Sequence, residues 1–258
     1  MLNYPKISIV IPSFNKVRYI GETLQSIVDQ KYPNLEVIIM DGGSTDGTLS
    51  IIKKYSKKYP KIFSYVSKKD KGQADAINKG LNRTTGQILS YINADDRYED
   101  YALLKIGSFF VKHPNTIWIA GRGRVINEKG VEIARIVTMF KNLLLLLNSF
   151  SLLLVVNYLI QPSIFFQKKA FEKYGPFPGT GRVVMEYGLW LRLGRNKMPL
   201  VIGNNLSSFR LMKTGFSLKS FKVILEADNS IAKKFIKNPL VYHIHRFINF
   251  LRTFLFAR

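Results

Sequence analysis

The 258-residue chain contains no cysteine, and this absence removes three kinds of chemistry at once. Without thiols the protein has no disulfide, no thiolate nucleophile and no cysteine-ligated zinc site. The amino-terminal sequence MLNYPKISIV also lacks the basic start and the apolar core of a secretory signal peptide. We therefore expect a cytoplasmic protein.

Acidic residues are scarce, since 17 Asp and Glu stand against 39 Lys and Arg, for a formal net charge of +22. Such a surface favours anionic partners: nucleic acid, phosphorylated small molecules or anionic lipid. The 47% hydrophobic content supports a real core and argues against overall disorder. Nucleic acid is the weakest of these partners, because the lysines are scattered through helices and no nucleic-acid motif occurs, so we expect none to bind.

The uncharged stretch 143–160, LLLLLNSFSLLLVVNYLI, is interrupted by polar residues at Asn148, Ser149, Ser151 and Asn157. As one helix it would be about 27 Å long, close to the ~30 Å of a bilayer's hydrocarbon core. The sequence leaves three alternatives open for it: a membrane-spanning helix, a membrane-surface segment and an internal core helix.

Strand-like and helix-like patterns alternate through the first hundred residues. Apolar runs at 7–12, 35–41, 62–67 and 88–94 predict buried strands, and the segments 19–30, 44–59 and 72–84 between them have helical periodicity. This alternation predicts a parallel α/β sheet that binds its ligand at the carboxyl ends of the strands. Asp41, Asp95 and Asp96 all lie at such ends.

The pattern changes after residue 115. A hairpin is predicted around residues 128–130 and a helix over 184–194, so the sheet should become mixed. From Ser230 onward, basic residues alternate with Phe, Ile and Leu at helical spacing. This tail is typical of a helix at a membrane surface, but an ordinary amphipathic helix packed on the domain would show the same pattern.

Six segments, taken together and in this order, carry a family resemblance: IVIPSFN, IIMDGGSTDGT, DKGQADAINKGL, YINADDRY, QPSIFFQKKAFEKYGPF and EYGLWLRL. The chain resembles the family 2 glycosyltransferases of the GT-A fold, which are inverting enzymes that use a nucleotide sugar and a divalent cation. The resemblance extends from residue 6 to about 215.

The resemblance implies a single GT-A (Rossmann-like) α/β domain with a mixed sheet over residues 1–215. Residues 1–115 would form its nucleotide-sugar half and residues 116–215 its acceptor half, with a basic amphipathic helical extension over 216–258. The implied activity is transfer of a sugar to a glycan or a polyprenyl-phosphate-linked acceptor, as in bacterial surface polysaccharide biosynthesis. The charge and the tail add an expected peripheral attachment to the anionic cytoplasmic face of the plasma membrane.

A departing nucleotide diphosphate develops negative charge, which Mn²⁺ or Mg²⁺ neutralises through oxygen ligands. The resemblance assigns this cation to Asp96, assisted by Asp95. Asn93 stands where the family often has a further acid, and its amide oxygen would be a weaker ligand. The alternative is that the two aspartates only cap a helix beginning near Glu99.

For the nucleotide, the resemblance makes Asp41 the acid that accepts from a base N–H, with Pro12 and Phe14 as the wall beside the base. Gly42 stands where the family often carries a second acid. Asp95 is also expected among the donor contacts.

For the diphosphate and sugar, Lys71 and Asp75 lie at a predicted helix amino terminus, where free N–H groups favour an anion. Asp75 would serve equally as an ordinary first-turn acid. Arg210 is a candidate partner for a phosphate, and Met212 replaces the histidine usual in that segment.

An inverting transfer needs a general base, and Glu186 matches the family's catalytic acid at the start of EYGLWLRL. Gly188 stands where a second acid is frequent. Trp190 is assigned to the acceptor side, although a core tryptophan fits the helical spacing equally well. The substitutions at Gly42, Asn93 and Gly188 leave one further alternative, a catalytically silent GT-A-like binding module.

Overall fold

The computed structural model describes residues 4–180, 183–184, 186–212 and 221–256. Its first half alternates as the sequence predicts: β1 (Ile7–Ser13), α1 (Ile20–Val28), β2 (Leu35–Asp41), α2 (Thr48–Lys58), β3 (Phe63–Ser67), α3 (Gln73–Leu81) and β4 (Ile88–Tyr91). The strands are parallel in the order β3-β2-β1-β4. Strands β1 and β4 are buried throughout because helices cover both faces of the sheet.

The second half contains β5 (Arg97–Tyr98), α4 (Ala102–Lys112), β6 (Trp118–Ile126), β7 (Glu132–Ile133), α5 (Arg135–Leu147), α6 (Phe150–Val155), β8 (Ile164–Gln167), α7 (Lys168–Tyr174), β9 (Gly179–Thr180), β10 (Val183–Val184), α8 (Glu186–Asn196), β11 (Leu200–Arg210), α9 (Phe221–Phe235) and α10 (Pro239–Phe256). The main sheet continues β4-β8-β6-β11-β5. It becomes mixed because β8 is antiparallel to both β4 and β6. The predicted hairpin is the β6–β7 pair.

Two apolar cores lie on opposite faces of this sheet. One includes side chains of α1, α2 and α4, and the other includes side chains of α3, α5, α6, α7 and α8. Gly80 permits the close approach of α3 to the sheet, since a Cβ at this position would collide with Val10 of β1. The carboxyl-terminal turn of α3 is thereby held against the middle of β1.

The stretch 143–160 is not one helix. Helix α5 ends at Leu147, Asn148 takes a left-handed conformation (φ 43°), and α6 runs only from Phe150 to Val155. Asn148 Nδ2 donates to the carbonyl of Pro199 at 2.7 Å, which fixes the break. Among the residues that the structure describes, no helix is both long enough and apolar enough to cross a bilayer.

The carboxyl-terminal helices pack against the rest of the protein. Helix α9 contacts α8, and α10 contacts α6 and α9. Leu225, Ala232, His245 and Asn249 are buried in these contacts. Helices α9 and α10 are therefore packed on the domain, and the division of the chain near residue 215 stays a prediction.

Candidate functional site

Several strand ends meet at one edge of the sheet. Asp41 is the last residue of β2 and pairs in register with Ser13, the last residue of β1. Asp95 and Asp96 follow β4, the other neighbour of β1. The end of β11 reaches the same place, because the backbone N–H of Arg210 donates to Asp96 Oδ1 at 2.7 Å. The acids that the sequence placed at strand ends are thus brought to one edge.

Asp95 and Asp96 differ in their surroundings. Asp95 forms an ion pair with Lys16 Nζ, and both side chains retain some exposure. Asp96 is 1% exposed, and its Oδ2 accepts from Asn93 Nδ2 at 3.0 Å. Burial, followed by the charge of Asp95, raises the pKa of Asp96 well above its usual range, against the opposing hydrogen bonds from Arg210 and Asn93. Asp95 is therefore the acid more open to a ligand, and Asp96 is the anchored one.

The donor set fits a hard divalent cation that also uses ligand oxygens. The chemistry offered is two adjacent carboxylates, which suits Mg²⁺ or Mn²⁺ completed by phosphate oxygens and water. No cluster of three or more Asp, Glu, His or Cys occurs among the described residues. The predicted ligand Asn93 uses its Oδ1 to accept from Gln73 Nε2 at 2.6 Å, so its amide joins α3 to Asp96.

Arg210 does not present its guanidinium to a phosphate. Its side chain is 1% exposed, and Nη2 forms an ion pair with Glu22 Oε2 at 2.6 Å. Nε donates to the carbonyl of Asp95 at 2.8 Å, and Nη1 donates to the carbonyls of Asn127 and Glu128 at 3.0 and 3.2 Å. The structure therefore corrects the prediction that Arg210 contacts a phosphate. Its guanidinium instead joins α1, the Asp95 loop and the β6–β7 turn.

This role predicts a large stability effect. Arg210→Ala removes four hydrogen-bonding contacts from a buried site, and we expect a loss of about 3 kcal/mol in the free energy of unfolding. Arg97 is the matched control, because its Nη1 also pairs with Glu22, at 2.9 Å, but its side chain is 36% exposed. Arg97→Ala should lower the free energy of unfolding by less than about 1 kcal/mol. Urea titration of both variants measures the two losses. Equal losses would show that burial of Arg210 adds nothing.

Asp41 organises the turn that follows β2. Its Oδ2 accepts from the N–H groups of Gly43 and Ser44 at 3.2 and 3.0 Å, and from the Ser67 hydroxyl at 2.6 Å. Its Oδ1 accepts from the Ser44 hydroxyl at 2.5 Å. The residue is 2% exposed. Its contact with a nucleotide base stays a prediction.

Phe14 and Asp70 line the open side of this turn. The Phe14 side chain is 53% exposed, as a wall for a base would be. A Cβ on Gly42 would lie 3.4 Å from Phe14 Cδ2 and 2.9 Å from Asp70 Oδ2. The carboxylate of Asp70 therefore fills the space beside Gly42, where the sequence suggested a missing acid. Pro12 is buried within β1, and its place in the wall beside the base stays a prediction.

The amino terminus of α3 carries Lys71 and Asp75, as predicted. Lys71 is exposed, and its backbone N–H donates to Asp75 Oδ2 at 3.0 Å. Lys79 Nζ donates to the same oxygen at 2.6 Å. The hydrogen bond from Lys79, then that from Lys71, lowers the pKa of Asp75. Asp75 thus acts as a first-turn acid here, and its contact with the donor stays a prediction.

Glu186 begins α8 and is half-buried. Burial raises its pKa to about 7, its own backbone N–H and Lys141 of α5 oppose the rise, and the charge of Asp228 of α9 adds to it. Burial, and then the charges of Glu186 and Asp96, raise the pKa of the buried Tyr91. A carboxylate that titrates near neutral pH can accept a proton there.

The structure places Trp190 in the core instead of on an acceptor surface. The residue is 1% exposed, and its ring stacks on Trp118 with centroids 5.9 Å apart. Phe177 meets it edge-on at 5.7 Å. The expectation of an acceptor contact is therefore wrong, and the core alternative is correct.

Several residues of the site were missed from the sequence. They are Lys16 beside Asp95, Gln73 beside Asn93, Asp70 beside Gly42, and Lys141 and Asp228 near Glu186. Only Lys141 gave a usable signal, since it is the lone charge in the apolar segment 136–160. An isolated cation in such a segment is costly unless it has an acidic partner.

The charges around Glu186 predict a pH effect. Asp228→Asn removes a negative charge that raises the pKa of Glu186, so the acidic limb of the pH–rate profile should move to lower pH. Lys141→Met should move it to higher pH, because a favourable positive charge is lost. Arg252 lies 3.7 Å from Asp228 and should be kept in both variants. Shifts in the same direction in both variants would exclude this electrostatic account.

The sheet topology and the acidic strand end define a GT-A-type nucleotide-binding domain. The model of the family described as "Glycosyl transferase family 2" matches residues 8–175, more than half of the chain. The protein therefore belongs to glycosyl transferase family 2. The family resemblance and the fold class predicted from the sequence are both confirmed.

Curated relatives match only part of the chain. The putative teichuronic acid biosynthesis glycosyltransferase TuaG of Bacillus subtilis is 35% identical over 108 residues, 42% of this chain and 43% of that protein. The putative glycosyltransferase EpsE of the same organism is 34% identical over 134 residues, 51% of this chain and 48% of that protein. The chain thus matches less than half the length of each of these relatives.

Solved structures share the fold at low identity. The mannosyltransferase PcManGT from Pyrobaculum calidifontis, in complex with GDP-Man and Mn²⁺, has a TM-score of 0.71 and 20% identity over 95% of this chain and 70% of that chain. S. aureus TarS 1–349, in complex with UDP-GlcNAc, has a TM-score of 0.63 and 20% identity over 97% of this chain and 73% of that chain.

Proposed function

We propose that the protein is an inverting glycosyltransferase that moves a sugar from a nucleotide-diphosphate sugar to a hydroxyl of a glycan or lipid-linked acceptor. The observation that carries this proposal is the Asp95–Asp96 pair at the carboxyl edge of the sheet, where the end of β11 meets it, together with Glu186 at the start of α8, whose pKa burial raises to about 7. Family membership supports the reaction class, and the donors bound by PcManGT and TarS support a nucleotide-sugar donor.

The donor would bind along the carboxyl edge of the sheet. Phe14 offers an exposed ring for the base, with Asp41 and Asp70 beneath it. The amino terminus of α3 reaches the same edge, because Gln73 Nε2 donates to Asn93 Oδ1 at 2.6 Å, and its free N–H groups, with Lys71 just before the helix, can take up phosphate or sugar oxygens.

Asp95, with Asp96, would hold Mn²⁺ or Mg²⁺ together with the donor's phosphate oxygens. When bound, the cation stabilises the negative charge of the leaving nucleoside diphosphate. Lys16 would also stabilise the leaving group, because its ammonium pairs with Asp95 and would add a positive charge beside the phosphates. Asn93 and Arg210 act by orienting Asp96 and the Asp95 loop.

Glu186 would act as the general base. The acceptor oxygen attacks the anomeric carbon from the face opposite the diphosphate, the bond from that carbon to the phosphate oxygen breaks, and the hydroxyl proton passes to the Glu186 carboxylate. Configuration inverts because attack and departure occur on opposite faces. The buried surroundings raise the proton affinity of Glu186, which suits this transfer near neutral pH.

The acceptor and the location belong to the proposal as well. A polyprenyl-phosphate-linked glycan would be reached at the cytoplasmic face of the membrane, where anionic lipid attracts a chain of net charge +22. The surface-polysaccharide role proposed here takes support from the similarity to TuaG, a putative teichuronic acid biosynthesis glycosyltransferase.

The silent-module alternative is weakened by the space around two of its three substitutions. Asp70 supplies a carboxylate beside Gly42, and a Cβ on Gly188 would lie only 2.9 Å from Pro178 Cγ. Gly188 is thus required by packing against Pro178. An absent acid at these positions does not mean an absent function.

Turnover is the decisive test. Purified protein is incubated with a panel of UDP-, GDP- and dTDP-sugars and a membrane extract, with Mn²⁺ or with EDTA, and products are identified by mass spectrometry. The proposal expects one donor to be consumed and its sugar attached to an extract component with inverted configuration. Tight nucleotide-sugar binding without consumption of any donor would support the silent module.

A further inference from the structure

Helix α5 exposes a stripe of large apolar residues. Six of them are 53–85% exposed: Ile136, Met139, Phe140, Leu143, Leu146 and Leu147. The inward side is mixed, since Leu144 and Leu145 are buried there with Thr138, and Lys141 Nζ donates to the carbonyl of Leu159 at 3.4 Å. Surface helices of proteins in water normally expose polar residues on the outward side instead.

Helix α10 likewise exposes a stripe of large apolar residues and buries polar ones. Leu240, Ile244, Phe247 and Leu251 are 42–67% exposed and fall on one stripe of the helix. The inward stripe carries His245, Asn249 and Arg252. His245 Nδ1 lies 3.1 Å from the carbonyl oxygen of Val155, and Asn249 Nδ2 donates to Asn229 Oδ1 at 2.9 Å. The polar stripe of α10 therefore faces the rest of the protein and contacts it through these polar groups.

The two exposed stripes belong to neighbouring parts of the fold. Helix α6, which follows α5 across Asn148, contacts α10. We call the ten exposed residues of the two stripes the apolar platform. A set of large apolar side chains of this size indicates an interaction surface.

Charge decides between the occupants of the platform. Neither α5 nor α10 contains Asp or Glu. Exposed cations border the helices: Arg135, Lys233, Lys234, Lys237 and Arg246. A second copy of the chain would bring another net charge of +22 to this border and would be repelled, whereas an anionic lipid surface would be attracted.

We propose that the apolar platform inserts into the headgroup–acyl boundary of an anionic bilayer, with α5 and α10 lying in the plane of the membrane. This inference rests on the proposed function only for the membrane as partner, and it names the surface that binds. Insertion would cover the apolar stripes, and the bordering cations would meet lipid phosphates.

The absence of cysteine makes a direct test simple. Leu143→Cys and Phe247→Cys, each labelled with an environment-sensitive fluorophore, are mixed with vesicles of phosphatidylcholine and phosphatidylglycerol. We expect a blue shift and strong quenching by lipids that carry a nitroxide at shallow acyl positions. Val111→Cys is the control, because Val111 is 36% exposed on α4, on the opposite face of the sheet, and should show neither effect. Equal signals at all three positions, or none at Leu143 and Phe247, would overturn the proposal.

A charge substitution gives the second readout. Phe140→Glu combined with Phe247→Glu should lower binding to the same vesicles at least 10-fold, whereas Val111→Glu should leave binding unchanged. Hydrolysis of the donor sugar in lipid-free solution should be equal in the wild type, the double variant and Val111→Glu. Loss of the platform is therefore distinguishable from failure of the proposed activity. Undiminished vesicle binding of the double variant would refute the platform. If the wild type forms a dimer in lipid-free solution and the double variant is monomeric, the surface would be assigned to a second copy of the chain instead.

Discussion

Glu186→Gln should reduce sugar transfer by roughly 10²–10⁴-fold while donor affinity stays nearly unchanged. Glutamine keeps the size and hydrogen-bonding groups of the side chain but cannot accept the proton of the acceptor hydroxyl. The effect should therefore appear in kcat, measured under saturating donor, with little change in the Kd of the nucleotide sugar from calorimetry.

The control for Glu186→Gln is Glu226→Gln, which makes the same chemical change at an exposed position of α9. It should retain full transfer. The wild-type rate should also rise with pH through about 7, because Glu186 is active only when deprotonated and its pKa is raised to that value. Near-normal turnover of Glu186→Gln would assign the base to another residue.

Asp95→Asn should abolish the Mn²⁺-dependent part of donor binding, with a loss of at least about 10-fold in affinity, or ~1.4 kcal/mol. The amide keeps the shape of the side chain but removes the charge that a divalent cation needs. Calorimetry with the nucleotide diphosphate, with and without Mn²⁺, measures the change. Asp100→Asn removes an exposed carboxylate from the same chain segment and should bind as the wild type does.

Substitution of Asp96 should affect both cation-dependent donor binding and the stability of the fold. If Asp96 served only as a cation ligand, Asp96→Ala would remove cation-dependent binding and leave the fold intact. Its Oδ1 accepts the buried N–H of Arg210, so the alanine leaves that donor unsatisfied and should also cost about 1–3 kcal/mol of stability. Unchanged Mn²⁺-dependent affinity in both Asp95→Asn and Asp96→Ala would show that the cation, if used, binds elsewhere.

Local patterns determined the first half of the fold. A buried parallel strand is a short apolar run, and its crossover helix has a 3.6-residue period, so each unit can be identified without knowledge of its neighbours. The predicted strand 35–41 coincides with β2, and the carboxyl ends that carry Asp41 and Asp95 follow from the parallel order. The strand beginning at Ile88 ends three residues earlier than predicted, because pairing with β1 stops at Tyr91.

The contacts of each charged side chain could not be obtained in this way. Arg210 resembles a phosphate ligand in the sequence, yet its partner Glu22 is 188 positions away. Lys16 pairs with Asp95 across 79 positions. Such distances are closed only by the topology of the sheet, and no local pattern records which acid a cation will meet.

The sequence by itself thus determined the family, the alternating sheet, the acidic strand ends and the amphipathic periods of the later helices. The tertiary structure alone decided that Trp190 is a core residue, that Asp70 stands beside Gly42, and which sides of α5 and α10 face outward. The physical reason is that periodicity fixes a stripe on a helix but not its direction. That direction depends on which surroundings satisfy the polar groups, and here the protein interior receives Lys141, His245 and Asn249 while the apolar stripes are left outside.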